Sequence, residues 1–174
     1  RLLDVGIGTG GALIANAALL RAKRLRVHGI DIDVAYLRRC RRALRAAGLE
    51  AQVHVAAEPV ERHLGGPYDA AYFSGSFMLL PDPAAALRHV GSLLAPGGLV
   101  YFPQAFGHRP SAPPQRLKPP FRRPTTVDLG RVSYEDAFRR SVEQGGAELL
   151  ELRPLRPGRR RSQCLAIARP HEAS

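Results

Sequence analysis

At 174 residues, 45% apolar and 24% charged, the chain has the length and composition of one globular domain with a full core. Its formal net charge of +11 rests almost entirely on arginine, with lysine only at positions 23 and 118. Alanine is abundant beside the arginines, so part of the charge reflects coding bias, and charge alone does not make nucleic acid the favoured partner. No apolar run approaches the ~20 residues of a membrane-spanning helix, and Cys40 and Cys164 lie far apart without metal-type spacing; a soluble, intracellular protein with two reduced thiols and no metal is expected.

The stretch Leu2 to Gly11 organises the rest of the chain. A short apolar run enters it and Ala12 to Ala22 leaves it as a helix former, which puts Gly6, Gly8, Gly10 and Gly11 at a strand-to-helix junction. Glycine there lets the backbone approach a ligand closely, and the unpaired N–H groups of the helix start point at it. Gly6, Gly8 and Gly11 satisfy the dinucleotide spacing G-x-G-x-x-G, with Asp31 20 residues beyond Gly11. Asp4 argues against that ligand, because a carboxylate two residues before the first glycine repels a pyrophosphate and suits ammonium and sulfonium charge. A nicotinamide oxidoreductase therefore ranks last.

In Asp4-x-Gly6-x-Gly8-x-Gly10 the chain resembles the class I S-adenosylmethionine-dependent methyltransferases. The resemblance implies a Rossmann-like α/β fold, with a doubly wound sheet of seven strands that is mostly parallel and has an antiparallel last strand between the fifth and sixth. It also implies S-adenosylmethionine as cofactor, held at Asp4, Gly6, Gly8 and Gly10. Because Arg1 opens directly on the first strand, a preceding helix is expected to be missing and the chain to be a piece of a longer protein.

Val27 to Asp31 reads as the second strand. At its carboxyl end an acid can accept both ribose hydroxyls of an adenosine, and the resemblance gives Asp31 that task and lays Ile32 against the adenine. His28 is expected to be a packed core histidine. Asp33 reads as the N-cap of a helix from Val34 to Ala47, with Gly48 at its C′ position. Leu37, Cys40, Leu44 and Ala47 line its buried face; Arg38, Arg39, Arg41, Arg42 and Arg45 crowd its solvated one. Gln52 to Ala56 forms the third strand, and the resemblance places Glu58 at the adenine edge.

Tyr68 to Phe73 reads as the fourth strand, with Ser74-Gly75-Ser76-Phe77 at the end where reacting groups gather. Relatives that methylate base or glutamine amide nitrogens carry Asp/Asn-Pro-Pro-aromatic there. This chain does not, which lowers amine methylation on nucleic acid and leaves Ser74, assigned to the cofactor, with Ser76 and Tyr72 as polar groups facing the cleft. Asp82-Pro83 starts a helix whose stripe is Leu87, Val90 and Leu94, and Ala95-Pro96-Gly97-Gly98 stops it before a fifth strand from Leu99 to Phe102.

Residues 103–130 hold seven prolines, at 103, 110, 113, 114, 119, 120 and 124, and are expected to form a Pro/Arg-rich substrate-side loop. Gln104, His108, Thr125, Thr126 and Asp128 are its candidate polar contacts. Ser133-x-x-Asp136 suggests a capping box for a helix reaching Gln144, followed by strands from Ala147 to Arg153 and Gln163 to Ala168. Residues 1–170 then make one domain, and 171–174 a tail.

The resemblance is nearest to the small-molecule branch that includes quinone methyltransferases. It implies methyl transfer to a small-molecule acceptor by in-line attack, assisted mainly by positioning and desolvation. No catalytic base is legible; Tyr72, His108 and Asp128 are the candidates. A metal-assisted reaction is not expected, since no carboxylate cluster converges. Two alternatives stay open: an RNA methyltransferase using the basic surface, and a non-catalytic scaffold that keeps the fold.

Overall fold

Four short strands, β1 (Leu2–Val5), β2 (Val27–Asp31), β3 (Val53–Ala57) and β4 (Tyr68–Phe73), pair in parallel and are joined by connections that cross the sheet. The structure is a computed structural model that describes residues 1–107, 134–156, 158 and 161–171. With β5 (Leu94–Gly107), β6 (Ala147–Arg156) and β7 (Arg161–Pro170) they make one seven-stranded sheet of order β3-β2-β1-β4-β5-β7-β6. β7 is antiparallel to both of its neighbours, as expected.

One face carries α1 (Gly11–Ala15), α2 (Ala17–Ala22) and α3 (Val34–Ala46), which bury Leu13, Leu20, Leu37, Cys40 and Leu44 against Ile7, Val27 and Val53. The other carries α4 (Pro83–Ser92) and α5 (Glu135–Gln144) over a larger core. Its centre is aromatic: the Phe102 ring lies 5.3 Å from Phe73, 4.8 Å from Phe77 and 5.4 Å from Phe138. Phe73 and Phe102 stack, and the other pairs meet edge to face, the arrangements ring quadrupoles favour. Among the described residues no helix is long and apolar enough to cross a membrane.

The expected caps form. Asp33 accepts hydrogen bonds from the N–H groups of Ala35 and Tyr36, and Asp82 from that of Ala85. Gly48 takes φ +63° just past α3, a left-handed turn that glycine adopts without strain.

The boundaries differ at several places: β3 runs one residue later than expected, β6 continues to Arg156 and β7 spans Arg161–Pro170, and four further differences each have a local reason. The first helix is broken at Asn16, whose side-chain amide donates back to the Ala12 carbonyl at 2.8 Å and gives the backbone an alternative to the helical ladder. β5 begins at Leu94 and takes the Pro96-Gly97-Gly98 corner as an irregularity in its pairing with β4, so Leu94 is a strand residue and not part of the α4 stripe. β5 also continues to Gly107, so residues 103–107 are strand and not loop. Pro103 lies beyond Tyr101, the last β5 residue in register with β4, so it pairs on one side only, with Leu165 of β7. The N-cap position of α5 is Tyr134, one residue later than predicted, with Glu135 and Asp136 in the first turn where acids suit the helix dipole; Ser133 lies outside the described residues.

Phe102→Ala should remove the ring that joins the aromatic core and cost about 3–5 kcal/mol. Denaturant unfolding checks this, with the 88%-exposed Leu64→Ala as a control expected to change stability by less than about 0.5 kcal/mol.

Candidate cofactor site

The carboxyl ends of β1, β2 and β4 meet the glycine turn, and backbone hydrogen bonds fix its path. Gly6 and Ile7 both donate to the Ile30 carbonyl, at 2.8 and 3.2 Å, and Gly10 donates to Ile7 at 3.0 Å. Gly6, Gly8 and Gly10 all take positive φ, but for different purposes. A Cβ on Gly6 would lie 2.5 Å from Ser76 Cβ, and one on Gly10 would lie 2.8 Å from the Cys40 sulfur. Gly8 is bare, with only the Gly6 carbonyl at 4.0 Å. Two glycines therefore admit the chain's own packing, and the third faces open space.

Asp31 closes the turn. One carboxylate oxygen accepts from Gly8 N–H and the other from Asp33 N–H, both at 2.9 Å. Each oxygen keeps a lone pair for a further donor. Beside it, Ile32 is 66% exposed, an apolar wall with nothing over it.

Asp4 is buried at 1% exposure and its Oδ1 has no hydrogen-bond partner among the described residues. Burial, and then the Asp31 carboxylate nearby, push its pKa up to about 7. Burial and then Asp4 likewise push the Cys40 thiol up to about 11, so it is inert at neutral pH. Asp4 and Asp31 thus set two carboxyl groups near each other at the turn, and Asp31 alone bonds the bare glycine. This set suits a ligand that brings positive charge to Asp4 and hydroxyl donors to Asp31, and it disfavours a pyrophosphate. S-adenosylmethionine has that chemistry, so the residues fit it.

The remaining predicted residues are distributed more widely. Ser74 donates its backbone N–H to Val5 at the β4 end. Tyr72 pairs in register with Asp4, and its phenol is raised above the usual range by burial and then by Asp4, which makes it a hydrogen-bond donor and not a base at neutral pH. Glu58 follows β3 and its N–H donates to Asp31, but its carboxylate turns to His63 at 2.8 Å. Gln104 belongs to β5, on the buried face with Phe102 and Phe106, and its Oε1 has no partner. His108, Thr125, Thr126 and Asp128 lie outside the described residues.

One participant was missed and another has a different task from the one expected. Ser76, expected as a polar group facing the cleft, donates its hydroxyl to the Val5 carbonyl at 2.5 Å and packs where Gly6 leaves room, tying the β4 end to the turn. His63 is 2% exposed and joins Glu58 to Tyr68 and, through it, to His28. His28 is hence a member of a polar network and not a simple core histidine.

The family described as "Methyltransferase domain" matches residues 3–100, more than half of the chain. The chain belongs to that family. It is a class I S-adenosylmethionine-dependent methyltransferase domain by sequence and by fold. The ubiquinone biosynthesis O-methyltransferase of Ralstonia nicotianae is 36% identical over 110 residues, covering 59% of this chain and 42% of that protein. The tRNA 5-carboxymethoxyuridine methyltransferase of Escherichia coli K12 is 30% identical over 106 residues, covering 58% and 38%. The chain thus spans about two fifths of the length of these curated relatives. A SAM-dependent methyltransferase from Aquifex aeolicus superposes with a TM-score of 0.72 at 17% identity, over 95% of this chain and 80% of that one.

The raised Asp4 pKa makes a signed prediction for this methyltransferase domain. Between about 3.8 and about 7 the folded state holds a proton that the unfolded chain has released, so Asp4 costs stability as pH rises through that window. Asp4→Asn should therefore be more stable than the natural protein at pH 8, by at most about 4 kcal/mol, and the gain should vanish near pH 4. Thermal unfolding from pH 4 to 8 checks this.

Proposed function

We propose that the chain transfers a methyl group from S-adenosylmethionine to a small-molecule acceptor, and that Asp4, Gly6, Gly8, Gly10, Asp31, Ile32 and Ser74 form the cofactor site. The observation that carries the cofactor reading is the pair of carboxyl groups at the turn: Asp31, which accepts from bare Gly8, and Asp4 nearby with a buried oxygen that has no partner among the described residues. When bound, S-adenosylmethionine supplies an already activated methyl group on a sulfonium, with a neutral thioether left behind.

The chain's own contribution is placement. Asp31 accepts from the ribose hydroxyls, Ile32 covers one face of the adenine, and Gly8 lets the backbone come close. Asp4 faces the methionine end, where a cation draws it to its ionised form. Glu58 reaches the adenine edge only with the carboxylate oxygen that His63 leaves. Tyr72 donates toward the cleft, orienting an acceptor and excluding water rather than removing a proton.

For the acceptor, the segment after β4 supports a small molecule. Phe77 is 0% exposed, in edge contact with Phe73, Phe102 and Phe138, so it offers no face on which a flipped base can stack. The ubiquinone biosynthesis relatives point the same way.

Calorimetric titration with S-adenosylmethionine, its demethylated product and NAD tests the cofactor site. The first two should bind, and Asp31→Asn should weaken them at least about tenfold; binding of NAD alone would overturn the reading. Turnover is tested by methyl transfer from labelled cofactor to a panel of phenols and other small hydroxyl compounds.

A second acceptor reading, RNA, is favoured by the five exposed arginines of α3, Arg38, Arg39, Arg41, Arg42 and Arg45. Under it, RNA affinity should fall steeply with salt, and changing Arg38, Arg39 and Arg42 to Gln should shallow the log–log slope by about one per lost phosphate contact. No binding at low salt would end it.

A further inference from the structure

A second cluster of chemically capable side chains lies on the α4 side of the sheet, away from the glycine turn. His28 comes from β2, Glu58 from just past β3, and His63 from the end of the 3₁₀ turn Val60–Arg62. One ligand atom from each lies within 4.8 Å of the others. The His28 and His63 rings meet edge to face with centroids 4.7 Å apart.

The hydrogen bonds leave a specific gap. Glu58 Oε1 lies 2.8 Å from His63 Nδ1, His63 Nε2 lies 2.8 Å from the Tyr68 hydroxyl, and that hydroxyl lies 3.0 Å from His28 Nδ1. Tyr68 therefore uses the far nitrogen of each ring. The two nitrogens it leaves are His63 Nδ1, which faces the carboxylate, and His28 Nε2, which is buried without a partner. If His28 Nδ1 carries the proton that Tyr68 accepts, His28 Nε2 presents a bare lone pair inside the protein, an arrangement that costs free energy until something occupies it.

We propose that His28 Nε2, His63 Nδ1 and Glu58 together bind a divalent transition-metal ion of the zinc type. Two imidazoles and one carboxylate are a donor set such ions take, with the fourth position open; magnesium and calcium prefer oxygen alone. Metal–donor bonds of 2.0–2.2 Å set tetrahedral donors about 3.4 Å apart, so the cluster closes by side-chain shifts on the order of 1 Å. The ion takes the place of the proton between Glu58 and His63; that proton moves to His63 Nε2, and the Tyr68 hydroxyl hydrogen that Nε2 had accepted turns away. Both rings then donate their far N–H to the Tyr68 oxygen, which orients them as an outer hydrogen-bond partner does at other metal sites. The site ties β2 to the β3–β4 connection, and it holds Glu58, whose N–H donates to Asp31 at 3.1 Å.

The test is titration of chelator-treated protein with Co²⁺, followed by visible absorption and by competition with Zn²⁺; it reads binding without reference to methyl transfer. One equivalent of Co²⁺ should give the intense ligand-field bands of a tetrahedral site, displaced by one equivalent of Zn²⁺, and excess Zn²⁺ should raise the unfolding midpoint. His28→Asn and Glu58→Gln should weaken the Kd at least tenfold, and Tyr68→Phe, which keeps the ring, about 10–100-fold. His171→Asn, at an exposed histidine, should leave it unchanged. A spectrum without tetrahedral bands in the natural protein, bands from cysteine sulfur, or an unchanged titration in folded His28→Asn would each overturn the proposal.

Discussion

The hydrogen bond from Gly8 N–H to the Asp31 carboxylate is the contact on which the site depends. It joins the turn after β1 to the end of β2, and the same carboxylate starts α3 through Asp33. It also brings a second acid close to buried Asp4, and that proximity is tolerated because Asp4 holds its proton up to about pH 7. The geometry that shapes the turn sets two carboxyl groups close together at the strand ends, one hydrogen-bonded to the turn and the other buried.

Much of this was written locally. The spaced glycines announce a strand-to-helix turn, Asp31 announces the end of a strand, and Asp33, Gly48 and Asp82 announce helix ends through their short-range hydrogen bonding. Local signals failed where a distant neighbour decides. Pro103 breaks strands in general, yet it is harmless where β4 has ended and only β7 pairs. Ser76 is an ordinary loop serine until Gly6 is folded against it. His28, Glu58 and His63 fall at irregular intervals, and only the sheet register that sets β2 beside β3 gathers them.

The two faces of the sheet differ in what they ask of the sequence. The α1–α3 side is aliphatic and built from residues close in sequence to the turn, so its packing and the glycine turn rise or fall together. The α4–α5 side is aromatic and draws Phe73, Phe77, Phe102, Phe106 and Phe138 from four separate elements. Buried Gln104, whose carbonyl oxygen has no partner among the described residues, is the one polar member of that row on β5. At the outer edge, Arg41 donates to the Val55 carbonyl at 3.0 Å and covers part of an otherwise open strand.

β7 lies inside the sheet although it comes after β6 in the chain. During synthesis, β5 therefore emerges with one ladder of N–H and C=O groups unmatched, and its 14 residues include the apolar run through Phe102 and Phe106. That edge stays open until the β6–β7 hairpin has left the ribosome and closed onto it, with β7 leading. The interval is a window in which a nascent chain can pair with another chain or recruit a chaperone, and it places the burden of solubility on β5.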